Sequence, residues 1–159
     1  MNDVNTREAI VKGLKSYLNI PVIRSNQTGD IPKYPYVSYT ITGDTTNGTW
    51  GAYEDQVDRK PYIEHWSITA QSDNYSESLE IARKTRDWID RIGTTELNDQ
   101  HVFVNKVGGI SPRDNLITVE YEHRNGFDFD VACSREVPST ITDTGYIETV
   151  ELEDKNNGE

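Results

Sequence analysis

The chain carries almost none of the raw material for covalent, metal or membrane chemistry. Of its 159 residues one is cysteine, Cys133, so it can close no disulfide on itself and cannot build a four-cysteine zinc site. No run approaches ~18 consecutive apolar residues, the length a membrane-spanning helix requires. Met1-Asn2-Asp3-Val4 offers neither the basic head nor the apolar stretch of a secretory signal. Positive charge is scarce as well: 16 Lys and Arg stand against 27 Asp and Glu, for a net charge of −11. That balance argues against a protein whose affinity comes from neutralising phosphates, and against docking on an anionic membrane. The expectation is a soluble, acidic protein of a reducing compartment, in one domain of ordinary size. Only 34% of the residues are hydrophobic, but nine Tyr, three Trp and three Phe supply bulky area to bury.

Catalytic signatures are missing too. There is no Gly-x-Ser-x-Gly elbow, and Val107-Gly108-Gly109-Ile110 lacks the phosphate-cradle spacings, so it reads as a turn. Cys133 sits between Ala132 and Ser134 with Arg135 nearby, and nothing local supplies both a lowered thiol pKa and a general base. His65, His101 and His123 show no metal-ligand spacing, because Glu64-His65 and Glu122-His123 are strand neighbours that point to opposite faces. Asp128 and Asp130 share one strand face, as a dyad or a calcium site would require, but a solvated strand face has the same pattern. The expectation is no enzyme, no metal and no cofactor.

What is present is a regular alternation of periods. Ile10, Val11, Leu14, Tyr17 and Leu18 form one stripe of a helix over residues 5–18, with Asn5 and Glu8 at capping-box spacing and Pro21 enforcing a stop near Asn19. A short strand is expected at 20–23, a loop at 24–35, and a strand at 36–42 in which Val37, Tyr39 and Ile41 alternate with polar residues. Residues 62–71 repeat the alternation, with Tyr62, Glu64, Trp66, Ile68 and Ala70 on one face. A second helix over 74–92 has Asn74 and Glu77 as a capping box and Gly93 as a left-handed stop. Its stripe is Ile81, Ala82, Thr85, Trp88, Ile89 and Ile92, with Glu80–Lys84 and Asp87–Arg91 spaced for i,i+4 pairs. Strands are expected at 101–107 and 115–123. Asn125-Gly126 then marks either a hairpin turn or a bulge before the alternating Phe127, Phe129 and Val131. The fold class is α+β: a mainly antiparallel sheet with two helices packed on one face.

Two stretches stand apart. Residues 43–61 are too long for a tight turn and form a long hairpin or projecting arm, carrying Trp50, Tyr53, Glu54, Asp55 and Arg59. Either the arm folds back on its own body or something else covers its aromatics. Residues 138–159 carry six acids and one base, a net charge of −5. The chain thus divides into a domain over 1–137 and an acidic tail or docking arm over 138–159, in which Tyr146 and its apolar neighbours could dock on a partner.

Several segments taken together carry a resemblance: Ile20-Pro-Val-Ile-Arg-Ser-Asn-Gln with Pro35-Tyr-Val-Ser-Tyr-Thr, His65-Trp-Ser-Ile-Thr-Ala-Gln-Ser, Asp87-Trp running into Arg91-Ile-Gly-Thr, and Arg113 through Asp128. In this order, over residues 5–132, the set resembles the neck or tail terminator (tail-completion) proteins of tailed bacteriophages. The resemblance implies a non-enzymatic virion part, present in the host cytoplasm during assembly. It implies a ring, usually homohexameric, that caps the tail tube, ends its polymerisation and meets the head-side connector. Its partners would be itself, the tail-tube protein and the connector or adaptor, with genomic DNA passing through the lumen without specific binding and no membrane involved. A negative lumen would let the duplex slide. A closed ring needs two different patches per subunit. The candidates are the arm residues Trp50, Tyr53, Glu54, Asp55 and Arg59, then Arg24 in the 24–35 loop, Arg113 in the 108–114 turn, and Tyr146. Two other functions fit the sequence: a head-side adaptor ring, and a small-ligand binder with its pocket beside His65, Tyr121 and the acids.

Overall fold

The computed structural model describes residues 3–46, 51–52, 57–114 and 122–138. Trp50, Tyr53, Glu54, Asp55, Tyr146, residues 115–121 of the strand expected over 115–123, and the stretch 139–159 lie outside the described residues. Helix α1 (Asp3–Leu18) leads into strand β1 (Val22–Arg24), followed by β2 (Tyr36–Thr46), β3 (Gly51–Ala52) and β4 (Val57–Ser72). Helix α2 (Tyr75–Asp87), a π-helical turn (Trp88–Ile92) and helix α3 (Thr94–Asp99) come next. The chain then returns to the sheet as β5 (Phe103–Asn105), β6 (Ser111–Pro112) and β7 (His123–Pro138).

The sheet runs β1-β2-β4-β7-β5; β3 pairs with β4, and β6 with β7. All pairings are antiparallel except β1 with β2. Its spine is β4 against β7, in register from Val57↔Pro138 to Ser72↔His123. The period-2 reading of these strands holds. Glu64, Trp66, Ile68 and Ala70 of β4 and Phe127, Phe129 and Val131 of β7 are buried on one face, where α1 and α2 pack. Trp66 stacks between Tyr39 and Phe129, at 5.1 and 5.6 Å between ring centroids. Within the 43–61 stretch, β2 continues through Thr46, opposite Tyr62, while β3 pairs with β4 at Gly51↔Arg59 and Ala52↔Asp58; residues 47–50 and 53–56 lie outside the described residues.

Four local expectations give way to tertiary structure. Asn5 does not cap α1, which already begins at Asp3; the helix does end where Pro21 requires, with Asn19 left-handed at φ 54°. Asn74 does cap α2, accepting the Glu77 N–H at 3.1 Å, but the Glu77 carboxylate takes the Ser72 hydroxyl. The 74–92 helix widens at Trp88, where the Gly93 N–H reaches back to the Trp88 carbonyl at 2.8 Å. The extra residue in that turn rotates Ile92 out of the stripe to 54% exposure. Gly93 is not left-handed (φ −85°); a Cβ there would strike the Trp88 ring. After it comes a third helix, α3, that no stripe announced.

Asn125-Gly126 is neither hairpin nor bulge but the interior of β7, paired with Ala70 and Thr69. Glycine stands there because a Cβ would collide with the Ile68 carbonyl oxygen. Asn125 is buried and donates to Ser78 Oγ at 3.0 Å, tying α2 to the sheet. The strand expected over 101–107 shrinks to Phe103–Asn105, because His101 and Lys106 on either side have left-handed φ of 59° and 50°.

Candidate interaction surface

On the face of the sheet away from the helices, polar side chains from adjacent strands engage one another. His65 Nδ1 lies 2.6 Å from Asp130 Oδ1, and its Nε2 lies 2.7 Å from Thr45 Oγ1. Lys106 Nζ approaches the other Asp130 oxygen at 3.9 Å. A hydroxyl, an imidazole and a carboxylate in line have the order of a nucleophilic triad. Here the three residues come from three neighbouring strands of an open sheet face, and no cleft described below includes His65. What the arrangement does chemically is bond β2, β4 and β7 together.

Arg113 makes a second knot. Its guanidinium donates to Ser67 Oγ at 2.6 Å, Thr69 Oγ1 at 3.2 Å and Asp128 Oδ1 at 2.8 Å. Asp128 and Asp130 are thus held by different cations, and among the described residues no group of three or more His, Cys, Asp or Glu is placed to hold a metal. Burial alone would raise the Asp128 pKa, but the hydrogen bonds from Arg113 and Ser67 and the charge of Arg113 outweigh it, and the pKa lies below its ordinary value. A depressed carboxylate pKa stabilises the fold above the unfolded-state value near 3.8 and stops doing so as pH falls through the folded value. Asp128→Asn should therefore lower the urea midpoint at pH 7 by a small amount, since the carboxylate is 73% exposed. The gap from wild type should close in acid below that range; a gap that persists there would show that the charge is not what stabilises.

Residues 107–110, expected as a turn, are an irregular connection between β5 and β6. The Gly108 N–H is taken by the Asp128 carbonyl at 2.8 Å, and its own carbonyl accepts from Arg86 Nε at 2.7 Å. At the opposite end of the spine Arg59 donates to Glu136 at 2.8 Å, directly across β4 and β7, and that hydrogen bond is the largest influence lowering the Glu136 pKa.

Arg24 and Arg113 do come together. They line one open cleft of about 480 Å³ with Arg124, Tyr36, Gln71 and Asp30. Arg124 is held bidentate by Glu122 at 3.0 and 3.2 Å, which raises its pKa, while burial raises that of Tyr36. A second cleft of about 340 Å³, on the helix side, is lined by Arg7, Lys12, Val11, Glu8, Tyr39 and again Arg24. Arg24 sits at the end of edge strand β1, exposed, where the two clefts meet. Sequence reasoning missed Arg7, Lys12 and Arg124 as members of this surface. They are scattered along the chain, and only the topology gathers them at one sheet edge.

The described chain is thus an α+β sheet with helices on one face, its outer polar groups bonded across strands and two open, charged clefts at a strand edge. The phage neck terminator protein family matches residues 8–159, nearly the whole chain including the acidic stretch after Val137. The chain belongs to that family. No curated protein matches it. Membership makes it a structural protein of the phage neck, a part of the virion that works with other virion proteins of the tail and neck. Among the described residues no helix is long and apolar enough to cross a membrane.

Proposed function

We propose that the chain forms a closed ring, homohexameric as such terminators resemble one another in being, that caps the tail tube, ends its polymerisation and presents a surface to the head-side connector. DNA passes through the lumen without specific binding. The observation that carries this reading is the family match over residues 8–159. The sheet supports it: β1 and β5 are its two end strands, so each subunit offers two different edges, as a heterologous ring interface requires. The domain over 1–137 is the body of the ring, and 138–159 is a docking arm. The net charge of −11 suits a lumen that repels the duplex.

The test is native mass spectrometry across a concentration range, repeated in the presence of assembled tail tubes. Discrete closed rings, or saturable capping of tube ends, are expected; monomers in both conditions would overturn the reading. Of the arm residues, Trp50 has the largest surface to anchor a desolvated contact. Trp50→Ala is therefore expected to weaken assembly at least ~10-fold while leaving the melting temperature of the monomer within a few degrees. A variant that is unfolded as a monomer would place Trp50 in the core instead.

A further inference from the structure

The β1 edge has an unusual charge for this chain. Acids outnumber bases 27 to 16 overall, yet the two clefts that meet at Arg24 are lined by five bases, Arg7, Lys12, Arg24, Arg113 and Arg124, against the acids Glu8 and Asp30. Arg7 is already engaged by Glu64, Lys12 by Glu8, Arg113 by Asp128 and Arg124 by Glu122. Among the described residues the Arg24 guanidinium has no hydrogen-bond or ion-pair partner. An open strand edge, two adjoining clefts and an uncommitted guanidinium at their junction form a seat for an extended acidic segment: backbone pairing along the edge, carboxylates on the arginines.

We infer that the seat is filled by the acidic C-terminal segment, residues 139–159, of a neighbouring copy of this chain. The inference rests on the ring reading above. Charge complementarity is the first argument: the segment holds Asp143, Glu148, Glu151, Glu153, Asp154 and Glu159 with Lys155 as its single base. Reach is the second. Arg24 is level with Tyr39, Ile68 and Phe127 across the sheet, whereas the segment leaves from Pro138. Eleven residues of strand and three strand spacings separate the two, roughly 39 Å in a straight line. A fully stretched chain from Pro138 to Glu148 spans at most about 35 Å. Even fully stretched, the backbone of the segment up to Glu148 falls about 4 Å short of its own Arg24, whereas a neighbour's Arg24 is under no such limit, which favours the neighbour's seat. Duplex DNA is the competing occupant of a basic surface. The net negative charge and the carboxylate already paired with four of the five bases disfavour it.

The experiment uses the full chain. Arg24→Glu is expected to raise the concentration of half-assembly at least ~10-fold, and Glu148→Lys with Glu151→Lys to do the same. The triple variant should return to within about 3-fold of wild type, because the charges are then exchanged. Circular dichroism and melting of each variant confirm that it folds. In a Cys133→Ser background, Arg24→Cys and Glu148→Cys placed on differently tagged protomers should form an interchain disulfide. Assembly insensitive to Arg24→Glu, no rescue in the triple variant, or an intrachain bond when both cysteines share one chain would each overturn the inference while leaving rings intact. So would Arg24→Glu abolishing retention of a DNA duplex with assembly unchanged. Wild-type protein that remains monomeric even on tail tubes would overturn the ring reading itself, a distinguishable result.

Discussion

Glu64→Ala is expected to be among the most destabilising single substitutions, at about 3 kcal/mol by denaturant unfolding at pH 7. Glu64 is a carboxylate on the helix-covered face of β4, 3% exposed among aromatic side chains. It survives burial because both oxygens are used: Oε1 accepts from Trp66 Nε1 at 2.7 Å, and Oε2 faces Arg7 Nη2 of α1 at 3.3 Å. Truncation leaves the indole N–H without an acceptor, opens a void beside Trp66 and frees α1 from its ionic tie to the sheet. Glu64→Gln keeps an acceptor for Trp66 and most of the volume, so its cost should stay near 1 kcal/mol. Equal losses in the two variants would show that the ionic tie to Arg7 dominates, and a loss below 1 kcal/mol for Ala would mean that the site relaxes around the missing carboxylate.

The second large effect is expected at Gly13. Glycine inside a helix costs up to about 1 kcal/mol relative to alanine, so on propensity alone Gly13→Ala would stabilise α1. The structure predicts the reverse. A Cβ at Gly13 would overlap the far edge of the Trp88 indole, and one at Gly93 would overlap the same ring from the other side. Trp88 is 3% exposed, so the ring cannot step aside into solvent. Each Ala variant should therefore lose about 1–3 kcal/mol through overpacking. In a Trp88→Leu background, itself destabilised by cavity formation, Gly13→Ala should instead be neutral or stabilising. A double-mutant cycle over Gly13 and Trp88 reads this directly; additive effects would mean that the contact between helix and π-turn is not what demands glycine.

Both predictions concern how α1 is seated, and under the proposed docking of the acidic segment α1 would contribute to assembly as well as to stability. Arg7, which ties α1 to Glu64, also lines the helix-side cleft that meets Arg24. The same ion pair that anchors the helix therefore sets one wall of the basic edge.

The elements legible in the sequence were those whose signal is local and repeated. Alternation over Tyr36–Thr42 and Tyr62–Gln71 identified two strands, β2 and β4, because a strand with one buried face must alternate. The stripe Ile10, Leu14 and Leu18 marked α1, and the Asn74 side chain capped α2 as its spacing requires. The α+β class, the helices on one face and the neck terminator family followed from these patterns and from the resemblance. What the sequence could not show depends on atoms distant in the chain. Asn125-Gly126 has the composition of a turn, but it lies in a strand because its partner β4 approaches too closely for a side chain. Gly13 and Gly93 look like a weak helix residue and a helix stop, yet they are two sides of one tryptophan slot. The basic edge is the clearest instance. Residues 7, 12, 24, 113 and 124 share no local period, and they meet only because β1 lies at the end of the sheet, with α1 over one of its faces and the Arg113 turn on the other. Periodicity constrains each segment against its own neighbours; which distant charges share a surface is decided by strand order, and strand order exists only in the folded chain.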